Sequence, residues 1–236
     1  MKIHFIGIGG IGVSALAKYY LAKGYEVSGC DLVRSAITDQ LKNMGAKIRI
    51  GKPDASCVPD GTSKIVYSPA VQKSSLEIEN CLPAGDPSKR EKLKIPALSY
   101  PQALGELTKT HYTIAVSGTH GKSTTTSMIG LLLAKAGLNP TVIVGTKLKE
   151  FGNSNFRMGG PPTKNYKLKT KNYLVIEADE HFASFLNYWP RIIVLTTVEA
   201  DHLDYYKNLS NVIRGFKTYV SHVPKDGFLI ANQDDP

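Results

Sequence analysis

Residues 115–126, AVSGTHGKSTTT, contain a glycine–lysine–serine step of the kind that binds nucleotide phosphates. Backbone N–H groups around Gly121 can cradle phosphate oxygens, Lys122 can neutralise their charge, and Ser123 can ligate Mg²⁺. The strict pattern G-x-x-x-x-G-K-[ST] would place its first glycine at position 116, where this chain has Val116. A position between a predicted strand and a predicted helix favours a variant phosphate loop over a ligand-free glycine turn.

A second glycine-rich segment, GIGGIG at residues 7–12, fits the pattern G-x-G-x-x-G. Gly7, Gly9 and Gly12 would let the backbone turn tightly and approach a pyrophosphate at the N-terminus of the following helix. Asp31, about 20 residues further on, could hold a ribose hydroxyl, although helix capping or solvation explains it equally well. The pattern does not choose among NAD, FAD and a UDP-sugar, and a ligand-free turn is the alternative.

Two acidic segments follow the ends of further predicted strands. LVIEADEHF contains Glu177, and VLTTVEADHLD contains His202. Because the carboxyl ends of parallel strands meet at one edge of a sheet, both segments should face the phosphate loop, where they could complete a Mg²⁺ site. Solvated loop carboxylates and a packing histidine are the alternatives. Spacing predicts no function for His111, His181 or His222.

The elements that must position these segments alternate between strands and helices. This alternation predicts two successive α/β segments with mostly parallel sheets, joined near residues 99–112. In the first, the predicted strands are KIHFIGIG, EVSGCD, KIRIG and KIVYSPA, and the helices are IGVSALAKYYLAKG and AITDQLKNMGA. In the second, the strands are YTIAVS, PTVIVG, NYLVIEAD, RIIVLTTV and the start of GFLIANQDDP, and the helices are STTTSMIGLLLAKAG and NVIRGFKTYVSHV. PQALGELTK is predicted as a linker helix and CLPAGDPSKREKLKIPALSYP as a loop.

The composition is that of an ordinary globular protein, with 236 residues of which 42% are hydrophobic. The net charge of +9 is concentrated in two predicted loops, residues 88–94 and 164–171. No stacking motif accompanies these lysines, so we expect no nucleic-acid partner. The three scattered cysteines argue against a disulfide framework, and no apolar run approaches a membrane span. We expect a cytoplasmic protein without a membrane partner.

Taken together, these segments resemble the Mur ligase family, ATP-dependent amide-forming enzymes of peptidoglycan synthesis. The segments that carry the resemblance, in chain order, are HFIGIGGIGVSALA, GTHGKSTTT, GNSNFRMG, EADEHFASFL, EADHLDYY and VPKDGFLIANQDDP. The resemblance implies a Rossmann-like UDP-sugar-binding domain at residues 1–108 and an incomplete P-loop-type central ATPase domain at residues 109–236. Since the family's C-terminal domain has no counterpart here, we expect a fragment that is catalytically incompetent alone.

By position, the resemblance also implies which residues bind the ligands. The residues implied for ATP are Gly118, Thr119, His120, Gly121, Lys122, Ser123 and Thr124, with Lys122 on the γ-phosphate. Those implied for the UDP-sugar are Gly7, Gly9, Gly10, Ile11, Gly12 and Asp31. Lys122, Glu177 and His202 are the implied catalytic residues. Ser123 and Glu177 would hold Mg²⁺, and His202 would bind a second metal ion or order that site.

The implied reaction activates the carboxylate of UDP-N-acetylmuramate as an acyl phosphate, which the amine of L-alanine then attacks. His120 narrows the resemblance to the family member that adds L-alanine and the one that adds a recycled tripeptide. The chain departs from the family at His181-Phe182 (usually Ser-Asp), Thr197 (usually Asn) and Ser99-Tyr100 (usually Arg), which leaves that choice open. An NAD-binding Rossmann oxidoreductase and a non-catalytic nucleotide-binding module are the alternatives from other classes.

Overall fold

The structure is a computed structural model that describes residues 1–52, 57–71, 95–160 and 171–234. The chain divides into two compact units, Met1–Ala103 and Leu104–Pro236. The proposed domain boundary between residues 108 and 109 stays a prediction. The predicted basic loops lie outside the described residues, except for Lys171.

The first unit is built on one parallel sheet. Its described strands are β1 (Lys2–Ile6), β2 (Glu26–Asp31), β3 (Lys47–Ile50), β4 (Thr62–Tyr67) and β5 (Ala97–Ser99). They lie in the order β3-β2-β1-β4-β5, and every neighbouring pair is parallel. Helices α1 (Ile11–Ala22) and α2 (Ala36–Asn43) connect the first three strands. This strand order is that of a nucleotide-binding α/β sheet, in which ligands bind beyond the carboxyl ends of the strands.

The second unit is built on a larger sheet. Its described strands are β6 (Tyr112–Ser117), β7 (Thr141–Leu148), β8 (Ser154–Arg157), β9 (Tyr173–Glu177), β10 (Ile192–Leu195) and β11 (Phe228–Ala231). Their order is β11-β10-β6-β9-β7-β8, and only β8 pairs antiparallel among them. The helices are α3 (Tyr100–Thr110), which begins in the first unit, α4 (Lys122–Lys135), α5 (Leu203–Tyr206) and α6 (Leu209–Val220). Short 3-10 segments span Lys149–Phe151 and His181–Asn187.

Burial explains why these segments form strands and helices. The central strands are apolar on both faces, as parallel sheets covered by helices require: Leu174, Val175 and Ile176 of β9 are all fully buried. Helix α6 is amphipathic instead, burying Val212, Phe216 and Tyr219 on one face. Thus the sheet holds the strand ends in place, and the loops that follow them carry the polar side chains.

The predicted strand–helix alternation is confirmed, with one error. Part of the segment predicted as a loop, Ala97–Ser99, forms β5 because its backbone pairs in parallel with Ile65–Tyr67 of β4. Residues 81–94 of that segment lie outside the described residues. Strand β8 and helix α5 had no strong sequence signal. In the described ranges, no helix combines the length and the apolarity that crossing a bilayer demands.

Candidate functional site

The loop between β6 and α4 carries the glycine–lysine–serine step, and its backbone is fixed by the neighbouring strand end. Gly118 has φ +126°, and a Cβ atom there would strike the Thr196 hydroxyl and lie 2.8 Å from the carbonyl oxygen of Thr197. The N–H of Thr119 donates to that same carbonyl at 2.8 Å, and the N–H of His120 donates to Thr197 Oγ1 at 3.3 Å. Only glycine fits at position 118, and the loop packs directly against Thr196 and Thr197, the residues that follow β10.

Lys122 points back across this loop into a nearly buried ion pair. Its Nζ lies 3.0 Å from Glu180 Oε2 and 3.1 Å from Oε1, and it donates to the carbonyl oxygen of Gly118 at 2.7 Å. The side chain of Glu180 is 2% exposed and that of Lys122 is 13% exposed. Burial raises the pKa of the Glu180 carboxyl, while its backbone hydrogen bond and Lys122 oppose that rise. The Lys122 ammonium group is therefore held beside the glycine loop and is largely shielded from water.

Ser123, in the first turn of α4, contacts the carboxylate of Glu177, the last residue of β9. Its hydroxyl donates to Glu177 Oε1 at 3.0 Å, and the N–H of Gly145 on β7 donates to Glu177 Oε2 at 2.7 Å. A hydroxyl and a carboxylate at hydrogen-bond distance are two oxygen ligands of the type that Mg²⁺ takes beside nucleotide phosphates. These residues therefore fit the ion that the sequence predicts.

His202 is the residue immediately before α5, and its ring lies close to the Lys122–Glu180 ion pair. Its Nε2 is 3.9 Å from Glu180 Oε1, and ligating atoms of Asp179, Glu180 and His202 all lie within 4.8 Å of one another. Helix α5 is tied to this group because the Tyr206 hydroxyl donates to the carbonyl oxygen of Glu180 at 2.7 Å. Burial, the largest cause, raises the pKa of Tyr206 to about 12, which keeps it a hydrogen-bond donor.

The remaining residues of the loop are exposed to different degrees. His120 is solvent-exposed, with Nε2 3.7 Å from Glu199 Oε2. Thr124 is exposed on the first turn of α4, whereas Thr126 is fully buried and belongs to the core. His120 and Thr124 thus remain accessible to a ligand at the loop.

In the first unit, the GIGGIG segment connects the end of β1 to the start of α1. Gly12 packs under Tyr100, whose ring atoms would lie 2.8 Å from a Cβ at this position. The N–H groups of Gly7 and Ile8 donate to the carbonyl oxygen of Cys30 at 2.9 and 3.1 Å, which anchors the loop to β2. Gly10 and Ile11 then begin α1, whose N-terminus carries the partial positive charge of a helix dipole.

Asp31 at the end of β2 braces this loop. Its Oδ2 accepts a hydrogen bond from the N–H of Gly9 at 2.7 Å, and its Oδ1 accepts one from Val33 at 3.2 Å. An open cavity of about 580 Å³ lies beside the loop. Its lining includes Gly7, Gly9, Gly10, Asp31, Val33 and Ser68. Its volume suits a small organic ligand, and its polar groups converge at the glycine loop.

The structure brings the sequence-predicted residues together within each unit: the loop of residues 118–124 with Glu177 and His202, and the loop of residues 7–12 with Asp31. Sequence reasoning missed Glu180 as the partner of Lys122, although it follows Glu177 by three residues in the same acidic segment. It also missed His181, whose ring stacks on that of His202 with centroids 4.2 Å apart. No periodic pattern marks either residue; only their position after a strand end does.

Comparison with known proteins identifies the family in both units. Residues 2–112 match the family model described as "Mur ligase family, catalytic domain", and residues 116–236 match "Mur ligase middle domain". The chain is 40% identical over 235 residues to the UDP-N-acetylmuramate–L-alanine ligase of Clostridium kluyveri, covering 99% of this chain and 47% of that relative. It therefore spans about half the length of the curated relatives it matches.

Solved structures give the same family. A UDP-N-acetylmuramate-alanine ligase from Thermotoga maritima superposes with a TM-score of 0.80 at 26% identity, covering 100% of this chain and 50% of that one. The UDP-N-acetylmuramate:L-alanyl-gamma-D-glutamyl-meso-diaminopimelate ligase from Neisseria meningitides superposes with a TM-score of 0.84 at 30% identity, covering 99% of this chain and 72% of that one. With two family domains matched in succession and both folds reproduced, the chain belongs to the Mur ligase family.

Proposed function

We propose that this chain provides the sugar-nucleotide-binding and ATP-binding parts of an ADP-forming ligase that joins L-alanine to UDP-N-acetylmuramate. The observation that carries the proposal is the group formed by Lys122, Ser123, Glu177 and Glu180 on and around the loop of residues 118–124. A cation, a hydroxyl and a carboxylate beside the N-terminus of a helix are groups that can bind the phosphates and the Mg²⁺ of a nucleoside triphosphate. ATP and UDP-sugars are metabolites of the cytoplasm, which is the compartment we propose.

The proposed division of roles follows from the contacts at this loop. Lys122, freed from part of its pairing with Glu180, would neutralise the γ-phosphate. Ser123 and Glu177 would hold Mg²⁺, with His202 at a second metal position; the ion supplies charge neutralisation during phosphoryl transfer. The N–H groups of residues 118–124 that do not already donate to Thr197 would orient the phosphates. The protein's contribution is then mainly positioning, since phosphoryl transfer needs little covalent participation from the enzyme.

The first unit is proposed to bind the UDP end of the sugar nucleotide at the loop of residues 7–12. The rival is an NAD site at the same loop, because the fingerprint alone does not distinguish them. A calorimetric titration of this chain with UDP-N-acetylmuramate and, separately, with NADH distinguishes the two. We expect heat of binding with the sugar nucleotide and none with NADH. The opposite result would refute the sugar-nucleotide assignment.

The amine substrate has two candidates. The L-alanine reading is supported by the names of the curated relatives, which are 38–42% identical to this chain. The tripeptide reading is supported by the TM-score of 0.84 and 30% identity to the Neisseria meningitides ligase. Phosphate release from ATP by the whole ligase to which this chain is proposed to contribute, in the presence of UDP-N-acetylmuramate and either amine and with the mass of the product determined, separates them. Release that depends on L-alanine is expected, and dependence on the tripeptide alone would reassign the substrate.

A further inference from the structure

An open cavity of about 420 Å³ lies in the second unit, at the amino ends of β6 and β10. Two of the residues that line it, His111 and Arg191, immediately precede these strands. The loop of residues 118–124 follows the opposite end of β6. Since β6 has six residues, each spanning about 3.3 Å, the cavity lies about 20 Å from that loop. It is therefore a separate site from the one proposed for ATP.

Trp189 forms an aromatic wall of this cavity. It is 44% exposed, although the residues on either side of it, Tyr188 and Pro190, are buried. The indole ring stacks on the imidazole of His222, with centroids 4.4 Å apart and an interplanar angle of 8°. The backbone N–H of Trp189 donates to Oγ1 of the buried Thr108 at 3.0 Å, and His222 Nδ1 donates to the carbonyl oxygen of Tyr188 at 2.9 Å. The indole is thus fixed in place with part of its surface open to solvent.

The charged groups beside this wall are positive. None of the described residues that line the cavity carries a carboxylate. Arg191 pairs with Asp226 through two hydrogen bonds of 2.7 Å, which compensates its charge. Lys109 is exposed, has no carboxylate partner among the described residues, and places its Nζ 5.2 Å from the centroid of the six-membered or five-membered indole system of Trp189. Because attraction between an exposed lysine and an aromatic ring is weak, Lys109 can turn from the indole to a bound anion.

We propose that Lys109 and Trp189 form a binding site for a small aromatic anion, a phosphate ester or carboxylate that carries one ring. The ring of the ligand packs against the exposed part of the indole, and its anionic group accepts hydrogen bonds from the Lys109 ammonium group. The volume of the cavity suits one small organic molecule. The proposal does not rest on the ligase function, because the cavity shares no lining residue with the loops of residues 7–12 and 118–124.

The test is a fluorescence titration of the chain with phenyl phosphate. Trp189 is the single tryptophan of the chain, so its emission reports on this cavity. We expect a saturable change at concentrations at least about tenfold lower than those at which inorganic phosphate or phenol, titrated separately, has an effect. Only phenyl phosphate engages both the cation and the indole, and one charge-assisted hydrogen bond is sufficient for such a difference. A non-hydrolysable ATP analogue with Mg²⁺ should leave the titration unchanged.

Two variants of Lys109 test its role, and both alter an exposed side chain that the fold does not need. Lys109→Gln should weaken phenyl phosphate binding by at least about tenfold, and Lys109→Glu should abolish it. Lys23→Gln is the matched control, because Lys23 is also exposed and lies 5.8 Å from the centroid of an aromatic ring, that of Tyr19 in the first unit. It should bind phenyl phosphate as the wild type does.

Three results would overturn the proposal. The first is the absence of a saturable change in Trp189 fluorescence with phenyl phosphate. The second is equal affinity in the wild type and both Lys109 variants. The third is competition by the ATP analogue, which would mean that phenyl phosphate binds at the loop of residues 118–124. Loss of ATP binding without any change in this titration would count against the proposed ligase function alone, so the two failures are distinguishable.

Discussion

At the scale of single residues, the pairing of Lys122 with Glu180 links stability to function. Both side chains are largely buried, so each depends on the other to offset the cost of leaving water. We expect Lys122→Met to lower the free energy of unfolding by about 3 kcal/mol, because it leaves an uncompensated buried carboxylate. Chemical denaturation at constant pH, with the unfolding of the second unit followed, measures this loss.

The double variant Lys122→Met/Glu180→Gln is the control for that prediction. Removing both charges eliminates the unpaired carboxylate, so at least half of the lost stability should return. ATP binding should stay lost in both variants, because the phosphate-neutralising cation is gone. Independent, additive effects of the two substitutions would show that the pair is not energetically coupled.

His4 is a residue of the first unit whose buried position predicts a pH dependence. Burial lowers the pKa of its imidazole from 6.5 to about 4, and its Nδ1 is 2.9 Å from Ser28 Oγ. Between pH 6.5 and pH 4, His4 is therefore protonated in the unfolded chain but neutral in the folded chain. The stability that comes from keeping His4 neutral in the folded chain is fully present above pH 6.5. The free energy of unfolding should fall by about 3 kcal/mol as the pH drops from 6.5 to 4.

Denaturation midpoints measured at several pH values for His4→Gln test this dependence. The variant should lose the part of the pH slope that belongs to His4, even if it is less stable at every pH. Parallel slopes for wild type and His4→Gln would contradict the assignment.

At the scale of elements, the phosphate loop depends on the close approach of Gly118 to the end of β10. Gly118→Ala should lower ATP affinity by at least about tenfold, since the added Cβ meets the Thr196 hydroxyl and the Thr197 carbonyl and displaces the loop, a loss of about 1.4 kcal/mol or more. Calorimetry with an ATP analogue measures the effect.

Gly152→Ala is the matched control for the loop variant. Gly152 also has positive φ, +70°, but a Cβ atom added there would meet no described residue other than its chain neighbours within 4 Å. This substitution should cost about 1 kcal/mol of backbone strain and leave ATP affinity unchanged. Equal losses of affinity in both variants would mean that steric contact with β10 does not position the loop.

The same loop shows how far sequence could predict the site. Local sequence pattern was enough to locate the strand, the glycines, Lys122 and Ser123, because they are contiguous. Glu177 and His202 could be placed beside them because the carboxyl ends of parallel strands meet at one edge of a sheet. Glu180 and Thr197 escaped prediction as partners because their roles depend on side-chain direction and strand register, which no local pattern encodes. Likewise, β5 pairs through its backbone, so its proline-rich surroundings concealed it.

At the scale of the whole molecule, the two units are proposed to bind two different nucleotides. Each unit has a mostly parallel sheet with a glycine loop after a central strand, β1 in one and β6 in the other. Membership of the Mur ligase family explains why both loops occur in one chain. The contacts of Asp31 and Lys122 show that the two loops carry side chains of opposite charge. The first loop is braced by a carboxylate, whereas the second carries a cation.

Amide hydrogen exchange of this chain, measured with each nucleotide present in turn, tests whether the two units bind different nucleotides. We predict that UDP-N-acetylmuramate slows exchange around residues 7–14 and leaves residues 118–127 unchanged. A non-hydrolysable ATP analogue with Mg²⁺ should do the reverse. Protection of residues 7–14 by NADH but not by UDP-N-acetylmuramate, or no protection of residues 118–127 by the ATP analogue, would contradict it.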